Sequence, residues 1–173
     1  MFDQTFANTT RAAIDGAALF ASAIEGLPAF TTQFSDNELS NSLAMVAKTI
    51  AVRQVLGYRR QTFFVMLGGW DHHDEVLDNQ VAMLSVVSKA MKEFHDALGE
   101  LGVQNNVVTF TASDFGRTLT SNGQGSDHAW GGNHMVMGGP VRGSPHLRRF
   151  PLAVRRQSAG HGAGAAHPHH LLR

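Results

Sequence analysis

With 173 residues the chain is long enough for one ordinary domain and too short for two, and 43% apolar with 16% charged residues excludes a wholly disordered chain. No Cys is present, which excludes a disulfide scaffold, a thiolate metal site and a cysteine nucleophile. The net charge of zero averages two regimes: all fourteen acidic residues lie before position 128, whereas 142–173 hold six Arg, five His and no acid. No apolar run approaches the roughly 18 residues of a membrane span. Met1-Phe2-Asp3-Gln4-Thr5 has neither the basic start nor the apolar core of an export signal. The acidic part lacks a basic aromatic face, so no nucleic-acid partner is expected.

The elements follow in order. Phe6, Thr10, Ile14, Ala17, Ala21 and Ile24 recur at spacings of three and four, which predicts an amphipathic helix over 5–24, stopped by Gly26 and Pro28. Ser35-Asp36-Asn37-Glu38 reads as a capping box opening a second helix, with Leu39, Leu43, Val46 and Ile50 on its apolar face and its end near Gly57. Thr62 to Leu67 is a continuous apolar run before Gly68-Gly69, predicting a strand buried on both faces. A long helix over about 75–101 places Leu77, Leu84, Val87, Met91, Phe94, Leu98 and Leu101 on one stripe and ends at Gly102. Val107 to Thr111 predicts a second buried strand, so that strand, helix and strand make a right-handed βαβ unit. Met135-Val136-Met137 is a third short strand, and beyond Gly139 periodicity is lost.

Ligands gather at the carboxyl ends of strands in open α/β sheets. Here those ends are Gly68-Gly69-Trp70-Asp71-His72-His73-Asp74 and Ser113-Asp114-Phe115-Gly116-Arg117-Thr118, followed by Gly125-Ser126-Asp127-His128 and Gly131-Gly132-Asn133-His134. Carboxylates and imidazoles are ligands for divalent metals, and Arg117 is suited to an anionic group. Blander readings stand beside these. Asp71 or Asp74 can serve as a helix N-cap, Arg117 can simply pair with Asp114, and His95 reads as a surface histidine. The glycines form neither a phosphate loop nor a dinucleotide fingerprint.

Arg60-Gln61-Thr62-Phe63-Phe64-Val65 leading to GGWDHHD, then TFTASDFGRTLTSNGQGSDHAWGGNHMVMGGPVRG, resembles the bacterial family known as domain of unknown function 1501, over about 36–143. The resemblance implies distant kinship with alkaline phosphatases and sulfatases. The expected fold class is therefore α/β: a fragment of a three-layer α/β/α alkaline phosphatase-like fold with a mostly parallel sheet. The family's GGFDTH falls on Gly68 to His73, with His72 in place of Thr and Trp70 in place of Phe. SDFGRT falls on Ser113 to Thr118, and GSDHGWG on Gly125 to Gly131 with Ala129 in place of Gly. Asn133-His134 replaces a paired His. Full-length relatives are expected to be several hundred residues long and exported, typically by a twin-arginine signal. The N-terminal strand that in the superfamily carries a metal-binding Asp, and the C-terminal elements, find no match, so 1–143 reads as a partial domain.

These implications give a leading reading: a hydrolase of phosphate or sulfate esters, on a small-molecule or polymer substrate. A divalent metal (zinc, manganese or calcium) would be held by some of Asp71, His73, Asp127, His128 and His134. Asp114 would be a further ligand or orienter, and Arg117 would stabilise substrate charge. The fragment itself is expected to be inactive, as a decayed gene product. The alternative is a non-catalytic exported protein that keeps the fold for binding or envelope assembly. The irregular basic tail, 144–173, is read as translated out of frame: codons compatible with Ala165 to Leu171, shifted by one base, spell the family's Arg-Leu-Ile-Pro-Thr-Thr.

Overall fold

A computed structural model of the chain describes residues 2–142. The basic tail and its reading frame lie outside the described residues. In chain order come α1 (Phe2–Glu25), α2 (Glu38–Ala51), α3 (Val76–Glu100), a single 3₁₀ turn (Gln104–Asn106), β1 (Thr109–Phe110), β2 (Gly116–Ser121), β3 (Ser126–Ala129) and β4 (Val136–Met137). Among the described residues no helix is long and apolar enough to cross a membrane.

The core is the contact between α2 and α3. Leu39, Leu43, Ala47 and Ile50 of α2 meet Val87, Ala90, Met91, Phe94, Ala97 and Leu98 of α3, with Val103 closing the end. Both sets follow the i, i+3/i+4 spacing of one helix face. Ala47, Ala90 and Ala97 are fully buried, and their small side chains let the backbones approach. Only the C-terminal half of the α3 stripe is covered; Leu77 and Leu84 are exposed. Length explains this. At about 1.5 Å per residue, the 14 residues of α2 span little more than half of the 25 residues of α3. The stripe of α1 is open as well, with Phe6 and Ile14 well exposed.

The start of α2 differs from the capping box. Asn37 is the N-cap, its side chain accepting from the Ser40 amide at 3.0 Å. Ser35 instead gives its amide and hydroxyl to Glu93 of α3, at 3.1 and 2.5 Å. Seven residues on, on the same face of α3, Glu100 accepts the amides of Thr31 and Thr32 at 2.9 and 2.6 Å, and the Thr32 hydroxyl as well. Two α3 carboxylates thus hold the segment between α1 and α2. Asp74 does not cap α3: the N-cap position is Glu75, in the left-handed region at φ 46°, with no side-chain cap bond.

The sheet differs from expectation. Two antiparallel two-stranded sheets occur, β1 with β4 and β2 with β3, and no parallel pair forms among the described residues. Thr62 to Leu67 pairs with no strand there, although its burial still alternates: Val65 and Leu67 rest on the helical core while Phe64 and Met66 face outward. Strand-like character survives in the side-chain alternation; the second covered face does not. Of the 107–111 strand, Thr109 and Phe110 pair with Met137 and Val136. The architecture is a helix pair with small antiparallel sheets, mixed α and β as expected, without the parallel ladder of the anticipated βαβ unit.

Candidate metal centre

The site forms where the loop after the 62–67 run meets the β2–β3 hairpin. Trp70 rests against the helical core and anchors that loop. Asp71 and His73, two positions apart, both reach the hairpin, while His72 turns to the Met83 sulfur at 3.1 Å. On the hairpin, Arg117 and His128 are directly paired across the strands, so their side chains share one face. Register is lost between Arg117 and Ser121, where β2 bulges. Thr118 and Ser126 fill the bulge with side-chain bonds: the Ser126 hydroxyl donates to the Thr118 carbonyl at 2.5 Å and lies 2.7 Å from the Thr118 hydroxyl. Bulges of this kind re-aim neighbouring side chains. A Cβ on Gly125 would collide with the His73 carbonyl, so only glycine lets the turn approach the loop this closely.

Asp71 Oδ1 is the hub. His128 Nε2 lies at 2.6 Å, His73 Nε2 at 3.1 Å and Arg117 Nη2 at 3.1 Å. One donor atom from each of Asp71, His73 and His128 falls within 4.8 Å of the others. Ligands about 2 Å from a tetrahedral ion stand about 3.3 Å apart, so this trio has the spacing and donor chemistry for one divalent ion with open positions left over. The other nitrogen of His73, Nδ1, faces Asp127 Oδ1 at 3.3 Å. The His128 ring stacks on Phe115, centroids 3.8 Å apart and 8° from parallel, and on His73 at 5.0 Å. The hydrogen bond from His128 holds the Asp71 carboxyl below the usual carboxylate range, and the Asn122 amide, followed by His73, does the same for Asp127.

The remaining candidates are placed differently. Arg117, with its side chain only 14% exposed, donates to the Ser126 carbonyl at 2.7 Å, the Trp70 carbonyl at 2.9 Å and Asp71, and sits over the Phe115 ring. Its carboxylate partner is thus Asp71 and not Asp114. Asp114 and His134 are exposed, and no hydrogen bond or ion pair joins either to the trio. His95 is half-buried on α3, with Nδ1 buried and without a hydrogen-bond partner, so it is not the simple surface residue expected. Sequence reasoning missed Phe115 and Asn122. Asn122-Gly123 is a hairpin signal that marked the second.

Two imidazoles and a carboxylate on a loop and a hairpin define a candidate metal-binding protein. The chain belongs to the family described as protein of unknown function (DUF1501), whose model matches residues 7–147. The match reaches further towards the N-terminus than the motifs do, taking in most of α1 and every candidate site residue. Neither a curated protein nor a solved structure matches the chain.

Proposed function

We propose that the chain carries the metal-binding part of a hydrolase acting on phosphate or sulfate esters, on an alkaline phosphatase-like scaffold. The observation that carries this reading is the convergence of Asp71, His73 and His128, with His73 backed by Asp127. Two nitrogen donors beside one carboxylate favour zinc or manganese over calcium, which takes six to eight oxygens. When bound, such an ion supplies Lewis acidity to an ester oxygen and lowers the pKa of a coordinated water. Asp71, His73 and His128 hold it, Asp127 orients His73, and Arg117 supplies positive charge beside Asp71. Asp114 and His134 have no place in this trio.

The ligand side chains are about half exposed: Asp71 60%, His73 53% and His128 46%. A site this open does not exclude water, and exclusion is part of what makes electrostatic catalysis effective. The protein is therefore expected to bind the ion and to turn over little or nothing. Calorimetric titration with Zn²⁺, Mn²⁺ and Ca²⁺ tests the first point, with His128→Ala as control; aryl phosphate and aryl sulfate hydrolysis test the second. Absence of Zn²⁺ and Mn²⁺ binding, or binding unchanged in His128→Ala, would sink the metal reading. Robust metal-dependent turnover would overturn the inactive reading.

A second reading, a non-catalytic exported protein using the same fold for binding, is favoured by one observation. The Arg117 guanidinium is engaged by two backbone carbonyls and Asp71, as in a structural arginine. Measurable ester hydrolysis by the wild-type chain would overturn this second reading.

A further inference from the structure

The hairpin turn carries a side chain whose bonds exceed what a turn needs. Asn122 Oδ1 accepts the amides of Gln124 and Gly125 at 3.2 and 2.7 Å, a local closure common for Asn. Its Nδ2 donates outward, to the His73 carbonyl 49 residues away and to Asp127 Oδ1, both at 3.1 Å. Two acceptor bonds and two donor bonds exhaust an amide. The orientation is also forced: exchanging Oδ1 and Nδ2 would set an oxygen against a carbonyl and a carboxylate, and an NH₂ against two amides.

From these contacts we infer that Asn122 is a positioning residue for His73, acting through Asp127 and through the His73 backbone. Asp127 receives the Asn122 amide on the oxygen that faces His73 Nδ1. Asn122 fixes that carboxylate, which draws the proton of neutral His73 to Nδ1 in competition with Asp71 Oδ1, 3.1 Å from Nε2. With the proton on Nδ1, the lone pair of Nε2 faces Asp71 and His128, as a cation shared by the three would require. Imidazoles that ligate metals characteristically give their second N–H to a carboxylate, which fixes tautomer and ring plane. Asp127 is thus an orienter of a ligand and not itself a ligand. What Nε2 binds rests on the metal reading above; the orientation of the ring does not.

The two bonding sides of Asn122 can be separated by substitution. Asn122→Asp keeps an oxygen for the turn amides and removes both outward donors; Asn122→Ala removes everything. In the metal-free full chain at about pH 9, above the usual imidazole range, long-range ¹H–¹⁵N imidazole spectra report the tautomer of each His. The His73 signal is assigned by its loss in His73→Gln. Wild type is expected to show a larger share of His73 protonated on Nδ1 than either Asn122 variant, because Asp71 takes the proton at Nε2 once Asp127 is released. Co²⁺ titration, read by its visible band, is expected to show affinity lowered about 10- to 100-fold in both variants. An unchanged His73 tautomer in Asn122→Asp overturns the inference, and that variant decides alone if Asn122→Ala fails to fold. A tautomer that shifts in Asn122→Asp while the wild-type chain binds no Co²⁺ upholds the positioning and overturns the metal reading. Equal Co²⁺ binding with an unchanged tautomer does the reverse.

Discussion

The helical and strand-bearing halves of the described chain bury their apolar residues to different degrees. Between α2 and α3 the shared face is closed, with Leu98 and Phe94 almost wholly covered. In the strand-bearing half Phe64, Met66, Phe110, Leu119 and Trp130 stand in solvent, and the 62–67 run pairs with no strand among the described residues. The difference follows from where each element finds its hydrogen bonds. A helix satisfies its backbone internally and needs one partner for its apolar stripe. A strand needs a neighbour along each edge and cover for each apolar face. Two helices can therefore complete a small core by themselves, while strands without neighbours leave apolar side chains in solvent. The Asp71, His73 and His128 cluster still forms in the open half because side-chain bonds from Arg117 and His128 to Asp71, and from Asn122 to the His73 carbonyl, tie the loop to the hairpin.

The largest expected effect lies in the closed half. Leu98→Ala should cost about 2–5 kcal/mol, the range for removing a buried Leu side chain. Leu119→Ala, at the apex of the bulge and 95% exposed, should change stability by no more than about 0.5 kcal/mol. Chemical denaturation of both variants measures the contrast. Similar losses would mean that the exposed strand residues are covered in solution, and the comparison between the halves would break.

Gly125→Ala tests the opposite half. Its Cβ would meet the His73 carbonyl, so the turn and the loop must separate. Zn²⁺ affinity should fall at least about 10-fold, as for loss of ligand orientation, while denaturation of the α2–α3 core changes little. Phe115→Ala removes the ring that stacks on His128 and underlies Arg117. Its expected effect is smaller, about 0.5–1.5 kcal/mol by the measure of aromatic pairs, read as a few-fold loss of Zn²⁺ affinity. Unaltered affinity in both variants would separate the ion from this hairpin.

Legibility in the sequence follows the same division. α1 and α3 were readable to within three residues, whereas α2 ends at Ala51, six residues before the expected Gly57; Leu39, Leu43 and Ile50, and Val87, Met91, Phe94 and Leu98, repeat with the helical period whatever surrounds them. How much of each stripe is covered was not readable: Leu77 belongs to the α3 pattern but lies beyond the reach of α2. The apolar run at 62–67 predicted burial on both faces, yet burial of a strand depends on residues far away in sequence. The β2–β3 hairpin is signalled only by the turn residues Asn122-Gly123, because Gly116–Ser121 and Ser126–Ala129 lack the alternating apolar pattern of a half-buried strand. The residue types of Asp71, His73, Asp127 and His128 marked them as candidates, and the fold brings them together. That Asp127 faces the far nitrogen of His73 was not legible, since spacing along a chain says nothing about which ring nitrogen meets which oxygen.

The smallest expected effect concerns the segment linking the helices, and its sign follows from the two α3 glutamates. The Thr32 hydroxyl, then the Thr31 amide, lowers the Glu100 pKa from an ordinary 4.5 to about 2. For Glu93, burial acts to raise the pKa, but the hydroxyl and amide of Ser35 and the Ser40 hydroxyl outweigh it, and the net direction is downward. A carboxylate whose folded pKa is depressed contributes stability above its unfolded pKa and loses it as pH falls through the folded value. The hold on Thr31 and Thr32 should therefore be intact at neutral pH and weaken as pH drops from about 4.5 towards about 2, and that on Ser35 should weaken below the ordinary carboxylate range. Because Glu100 is exposed, its share is screened by solvent. The expected readout is a loss of amide-exchange protection at Thr31, Thr32 and Ser35 as the pH falls, corrected for intrinsic exchange, before the α2–α3 core opens. Glu100→Gln should remove the acid response of Thr31 and Thr32 and leave that of Ser35, which answers to Glu93. If all three amides lose protection together with the core, the segment is held by packing and not by the two carboxylates.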